Sequence, residues 1–60
     1  MTKDAWEKLQ DLSGQLSVES ARFATDNKTW RPGGDTDRII TADVNALSRI
    51  IKQMKKVLAK

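Results

Sequence analysis

Apolar residues recur every seven positions along the first half of the chain. The series consists of Leu9, Leu16, Phe23 and Trp30, with Ala5 and Leu12 each four residues before one of its members. A heptad of this kind places its apolar side chains on one face of an α-helix. The pattern therefore predicts an amphipathic helix over residues 3–28, in which Gly14 costs about 1 kcal/mol relative to alanine.

The second half of the chain carries a similar pattern, with apolar residues at alternating spacings of four and three. Its members are Ile40, Val44, Leu47, Ile51, Met54 and Leu58. This spacing predicts a second amphipathic helix over residues 36–59, with these side chains facing the first helix.

The segment between the two patterns holds the only proline and two of the three glycines. Pro32 disfavours the helical conformation in the residue before it, and Gly33 and Gly34 permit positive φ. The first helix is therefore predicted to end here. Asp35 or Thr36 can cap the second helix.

A short β-hairpin over residues 29–41 is the alternative for this segment. The β-branched residues Ile39, Ile40 and Thr41 support it, and Thr41 would then cap a shorter helix. The four–three spacing runs through Ile40 without a break, which favours the helix.

The two helices predict an all-α fold, an antiparallel helical hairpin that forms a single domain over residues 1–60. Folding the helices back on each other brings apolar residues together in every layer except the one where Glu19 faces Val44. Trp30, one heptad beyond Phe23, is predicted to cover the turn end of the hairpin as a lid. Exposure of its indole for a base or a protein partner is the alternative.

A chain of 60 residues buries only about 60% of the surface that its unfolded form exposes, so a monomer is marginally stable. The chain has no cysteine and no histidine, so apolar burial must supply the stability without disulfides or thiolate metal sites. Self-association of the hairpin is therefore expected.

A flank of apolar and small residues beside the predicted helix–helix contact is the candidate dimer or partner surface. It consists of Trp6, Ser13, Ile50 and Val57. Packing two hairpins on this flank gives an antiparallel four-helix bundle. In architecture alone such a bundle resembles the plasmid-copy-number regulators of the Rop type, which are RNA-binding dimers of helical hairpins. No motif residues are shared, so the resemblance implies neither site nor function.

Basic residues are concentrated at the end of the chain, within a net charge of +3. Possible nucleic-acid contacts are Arg49, Lys52, Lys55, Lys56 and Lys60. Such a stripe can follow phosphates. The favoured interpretation is that it complements the dipole of the second helix and pairs with Asp4, Glu7 and Asp11 of the first helix. A basic amphipathic helix of this kind also suits an acidic membrane surface or a peptide-binding protein.

Motifs for catalysis or for cofactor binding do not appear in the sequence. Gly33 and Gly34 lack the frame of a phosphate-binding loop, and Asp35 and Asp37 lack the later ligands of a calcium loop. A salt bridge or solvation is the favoured interpretation of Glu19 and Asp26 over an acid–base pair.

These patterns predict a cytoplasmic, non-enzymatic protein-interaction module, without cofactor or metal, that acts as a homodimer through its helical hairpin. No run of residues is apolar enough for a membrane span. The alternative function is a nucleic-acid-binding regulator that uses the basic stripe.

Overall fold

The structure, a computed structural model, describes residues 1–59 and consists of two long helices joined by a turn. Helix α1 spans Lys3–Lys28 and helix α2 spans Thr36–Leu58. A groove lined by Met1 and Thr2 on one side and by Leu58 and Ala59 on the other shows that the helices run antiparallel. The predicted all-α helical hairpin is confirmed.

Residues 29–41 form no strand, so the β-hairpin alternative is wrong. Ile39, Ile40 and Thr41 belong to the first turns of α2, which ends at Leu58, one residue before its predicted end.

Local hydrogen bonds and backbone conformation explain where the helices begin and end. The hydroxyl of Thr2 accepts a hydrogen bond from the backbone N–H of Ala5 at 3.1 Å, which caps α1. Gly33 has a φ of 85°, a conformation that glycine adopts without steric cost. Asp35 precedes α2 but makes no capping hydrogen bond through its side chain.

The face of α1 that packs on α2 is the one that the heptad predicts. Its buried and half-buried residues are Ala5, Leu9, Leu12, Leu16, Glu19, Phe23 and Asp26. These residues occupy heptad positions a and d, starting with Ala5 at d and Leu9 at a. Leu12, 8% exposed, is the one buried apolar residue among residues 1–59, and no side chain of those residues is fully buried.

The face of α2 that packs on α1 differs from the prediction. Its buried and half-buried residues follow the four–three spacing Thr36, Ile40, Asp43, Leu47, Ile50, Met54 and Val57, with Ala46 beside them. Ile40, Leu47 and Met54 were predicted to lie there. Asp43, Ile50 and Val57 take the places expected for Val44, Ile51 and Leu58.

The apolar face of α2 is wider than the contact with α1, and this width explains the correction. Ile50 and Ile51 are neighbours in sequence, as are Val57 and Leu58, so both possible contact faces carry large apolar side chains. One partner helix covers only one of these two faces. A single-residue change of face rotates α2 by about 100° without breaking the four–three spacing.

Trp30 does not form the predicted lid. Helix α1 ends at Lys28, and Trp30 lies beyond it with its side chain 44% exposed. The indole N–H donates a hydrogen bond to the carboxylate of Asp37 in the first turn of α2. The side chain therefore links the two sides of the turn through a polar contact and leaves much of the ring in solvent.

The hairpin is long and thin. Its Cα atoms extend 47 × 16 × 9 Å, and their radius of gyration is 14.2 Å. A compact domain of this length has a radius of gyration of about 10 Å. Two helices side by side form a single layer, so neither broad face of that layer is covered by other parts of residues 1–59.

Candidate protein-interaction surface

Three large apolar side chains of α2 point away from α1. Val44, Ile51 and Leu58 follow one another at intervals of seven and are 47%, 43% and 62% exposed. Each lies one residue after a residue of the helix–helix contact, at heptad position e. They form a row along α2 at intervals of two helical turns, with Ser48 and Lys55 between them.

The row on α2 has a counterpart on α1. In an antiparallel pair the e positions of the two helices lie on the same side of the contact. Position e of α1 is occupied by Trp6, Ser13, Ser20 and, in its last turn, Asn27, all exposed. We call the surface formed by the two rows the apolar flank: Trp6, Ser13, Ser20, Val44, Ile51 and Leu58. None of these six side chains carries a charge.

Two of the four residues proposed from the sequence as a partner surface lie on this flank. Trp6 and Ser13 are exposed there, whereas Ile50 and Val57 are half-buried against α1. Because α2 is rotated relative to the predicted orientation, Ile51 and Leu58 lie on the flank in place of Ile50 and Val57. The doublets Ile50–Ile51 and Val57–Leu58 were the available signal that α2 has two apolar faces.

The opposite broad face of the hairpin has a different character. A shallow groove there is lined by Gln15, Val18, Glu19 and Ile50, among others. By the same heptad rule, this face also carries position g of α1, which includes the basic residue Arg22. Its apolar side chains are scattered among polar ones, so the apolar flank is the better candidate for a buried contact.

The basic residues near the end of α2 lie on its outer surface. Arg49, Lys52, Lys55 and Lys56 are exposed, and Lys60 lies outside the described residues. Within residues 1–59 the one ion pair joins Glu19 and Arg22 at 3.7 Å. The interpretation in which Asp4, Glu7 and Asp11 pair with this stripe therefore finds no such contact among those residues.

A cluster of carboxyl groups in the helix–helix contact was missed by the sequence interpretation. Asp43 is 5% exposed, and its Oδ2 atom is buried without a hydrogen-bond donor. A hydrogen bond with Asp43 raises the pKa of Asp26 above its usual range, and burial and the charge of Asp43 act in the same direction. Only the four–three spacing from Ile40 to Asp43 pointed to this placement.

Neither helix of residues 1–59 is long and apolar enough to cross a membrane. The same residues contain no group of three or more histidine, cysteine, aspartate or glutamate side chains placed to hold a metal ion.

No protein-family model, curated protein or solved structure matches this chain.

Proposed function

We propose that the protein is a small protein-interaction module whose working form is a dimer of helical hairpins joined through the apolar flank. The observation that carries this proposal is the exposed row of Val44, Ile51 and Leu58. Burying a large aliphatic side chain fully is worth roughly 1.5–3 kcal/mol, so a second layer over this row adds substantially to a marginal fold.

The size of the flank suits a dimer contact. The broad face of the hairpin measures 47 × 16 Å between Cα atoms. The area of a face of these dimensions is close to the roughly 800 Å² that each partner contributes to a standard protein–protein interface. One hairpin laid on another along its whole length therefore buries enough surface for a stable complex.

The flank is also complementary to itself, which favours a second copy as the occupant. Its α2 side carries large side chains, whereas its α1 side carries, beyond Trp6 at the open end, the small residues Ser13 and Ser20, with Ser17 and Ala24 next to them. A two-fold axis sets α2 of each copy against α1 of the other, so that large residues meet small ones twice. The product is a four-helix bundle.

Sedimentation equilibrium at micromolar protein concentration tests the dimer. We expect a dimer mass for the natural chain, and Val44→Ser combined with Ile51→Ser should shift the mass toward that of the monomer. The matched control is Val18→Ser combined with Ile39→Ser. Those two residues are 64% and 47% exposed but lie off the flank.

A monomer mass that does not change with concentration contradicts the proposal. Equal weakening by the control pair contradicts the assignment to this flank, because it shows that exposed apolar surface in general drives association. Circular dichroism of each variant must show unchanged helicity, so that loss of association is not confused with unfolding.

A second candidate function, binding to the phosphates of a nucleic acid, is favoured by one observation. Arg49, Lys52, Lys55 and Lys56 are exposed, and none of them forms an ion pair within residues 1–59. Arg49, Lys52 and Lys56 lie on the side of α2 away from the flank and stay accessible in the proposed bundle, whereas Lys55 borders the flank beside Ile51 and Leu58. Unpaired, accessible cations along one helix are what phosphate contacts require.

The dependence of binding on salt separates this second candidate from the first. Phosphate contacts give a log–log slope of binding against salt of about −0.7 to −0.9 per contact. Lys52→Glu combined with Lys56→Glu should then abolish binding while helicity persists. Failure to bind duplex or single-stranded nucleic acid at about 150 mM salt, roughly physiological ionic strength, leaves the dimeric interaction module as the proposed function.

A further inference from the structure

The half of the hairpin nearest the turn contains three carboxyl groups in its helix–helix contact. Glu19 and Asp26 of α1 are half-buried, and Asp43 of α2 is buried. The half farther from the turn is lined instead by leucine, isoleucine, methionine and valine side chains. We call these parts the turn half and the open half.

Asp43 is the least exposed residue of residues 1–59, although it is charged in its usual form. Its Oδ2 atom is buried and accepts no hydrogen bond. A buried oxygen without a donor loses its hydration and gains nothing in return. The helix–helix contact therefore leaves Oδ2 of Asp43 without a hydrogen bond unless a nearby group donates one.

Asp26 is the group that can donate that hydrogen bond. It is half-buried in the same helix–helix contact, and Asp43 is the group that raises its pKa most. When Asp26 is protonated, its O–H donates to Asp43 across the contact between α1 and α2. When Asp26 is ionised, two negative charges meet in the same place and no donor remains.

Few charges compensate this pair. On α1, the positive charge of Arg22 lowers the pKa of Asp26, whereas Asp43 raises it. Arg22 is exposed and also lies 3.7 Å from Glu19, so its charge is divided between two carboxylates and screened by water. On α2, Asp43 is the charged residue that acts on Asp26.

We propose that Asp26 and Asp43 form a proton-controlled contact that closes the turn half of the hairpin in acid and loosens it as the pH rises. Loosening exposes Phe23 and Ile40, the half-buried apolar residues of the turn half. Those side chains then become available to another apolar surface. The open half lacks buried carboxyl groups and stays packed. This property belongs to the single hairpin and does not depend on the proposed dimer.

The direction of the effect follows from the pKa of Asp26. The hydrogen bond with Asp43 raises this pKa above the ordinary value of 3.8, with smaller contributions from burial and from the charge of Asp43, while Arg22 lowers it. The stabilising contribution is therefore fully present below the unfolded-state pKa. It is lost as the pH rises through the raised pKa of the folded state.

Urea unfolding followed by circular dichroism, at pH steps between about pH 4 and pH 7, tests the proposal. We expect the free energy of unfolding of the natural chain to fall across this range. Asp26→Asn retains a donor toward Asp43 and removes the titrating group, so most of this pH dependence should disappear. Asp43→Asn should flatten the profile as well, because no second charge remains in the contact.

Asp11→Asn is the matched control, since Asp11 is an exposed aspartate on the same helix. It should leave the pH profile of the natural chain unchanged. Amide hydrogen exchange, corrected for its intrinsic pH dependence, should show loss of protection with rising pH in residues 20–27 and 36–44. Protection in residues 8–16 should persist.

Stability that is constant or rises from acid to neutral pH contradicts the proposal. So does a pH profile that Asp11→Asn flattens as much as Asp26→Asn does. Measurement at two protein concentrations separates this result from the dimer, because a dimer changes the midpoint with concentration while the carboxyl pair changes it with pH. If Asp43→Asn does not fold, Asp26→Asn still provides the test.

Discussion

Trp30 shows at the scale of one residue how a heptad series can continue in sequence after the helix has ended. The residue keeps the spacing of Leu9, Leu16 and Phe23, but α1 stops two residues before it. Its indole N–H donates to Asp37 instead of covering the turn end of the hairpin. Spacing predicts a face only where the backbone is helical, and Pro32 with its neighbouring glycines interrupts the helix here.

Trp30→Ala should destabilise the hairpin by about 1–2 kcal/mol, less than the 3–5 kcal/mol typical of a fully buried aromatic side chain. Trp30→Phe keeps the ring and removes the N–H donor, and should cost about 0.5 kcal/mol because the hydrogen bond to Asp37 is exposed. Urea unfolding measures both. A loss of about 3 kcal/mol or more for Trp30→Ala would fall in the range typical of buried aromatic side chains and would show that the ring is buried.

At the scale of the helices, the sequence predicted both elements and the contact face of α1. Five of the seven a and d positions of α1 carry apolar residues, the exceptions being Glu19 and Asp26, so the seven-residue spacing selects one face. The contact face of α2 was predicted wrongly because spacing cannot separate Ile50 from Ile51 or Val57 from Leu58. Hydropathy then favoured Val44 over Asp43, whereas the structure buries the aspartate.

The apolar flank was likewise predicted correctly on α1 and wrongly on α2. Trp6 and Ser13 were predictable as flank residues because the face of α1 was correct. The exposure of Ile51 and Leu58 on the flank depends on the rotation of α2 about its axis, and the packing of both helices determines that rotation.

Gly14 and Gly33 offer a matched test of helix and turn. Gly14 lies in the middle of α1, and a methyl group placed on it would meet no atom within 4 Å. Gly14→Ala should therefore raise the free energy of unfolding by about 1 kcal/mol through helix propensity. Gly33 has a φ of 85°, so Gly33→Ala should lower it by about 1 kcal/mol.

Thermal or urea unfolding of the two single variants checks these opposite signs. Stabilisation by Gly33→Ala would show that the turn does not require a positive φ. Destabilisation by Gly14→Ala would show that a partner lies close to that part of α1.

At the scale of the whole molecule, the single-layer shape leaves stability dependent on what covers the apolar flank. A monomer only 9 Å thick between Cα atoms has no interior beyond the contact of its two helices. If two copies cover each other, folding and association become one equilibrium.

The thermal midpoint should then rise with protein concentration, by roughly 5 °C for each tenfold increase. Val44→Ser combined with Ile51→Ser should remove this dependence, and Val18→Ser combined with Ile39→Ser should retain it. Circular dichroism melts over a hundredfold concentration range measure the effect. A midpoint that is the same at every concentration for the natural chain would contradict a coupled equilibrium.

The carboxyl groups of the turn half also have a consequence for the order of folding. Contacts near the turn close the shortest loops and cost the least chain entropy. Here those contacts include Glu19, Asp26 and Asp43, which bury little apolar surface at neutral pH. We expect the first stable contacts to form in the open half, at the cost of closing a longer loop, and then to propagate toward the turn. The φ-values of Leu12 and Leu16 should accordingly exceed that of Phe23, and folding should become faster as the pH falls through the raised pKa of Asp26, because the turn half can then close early.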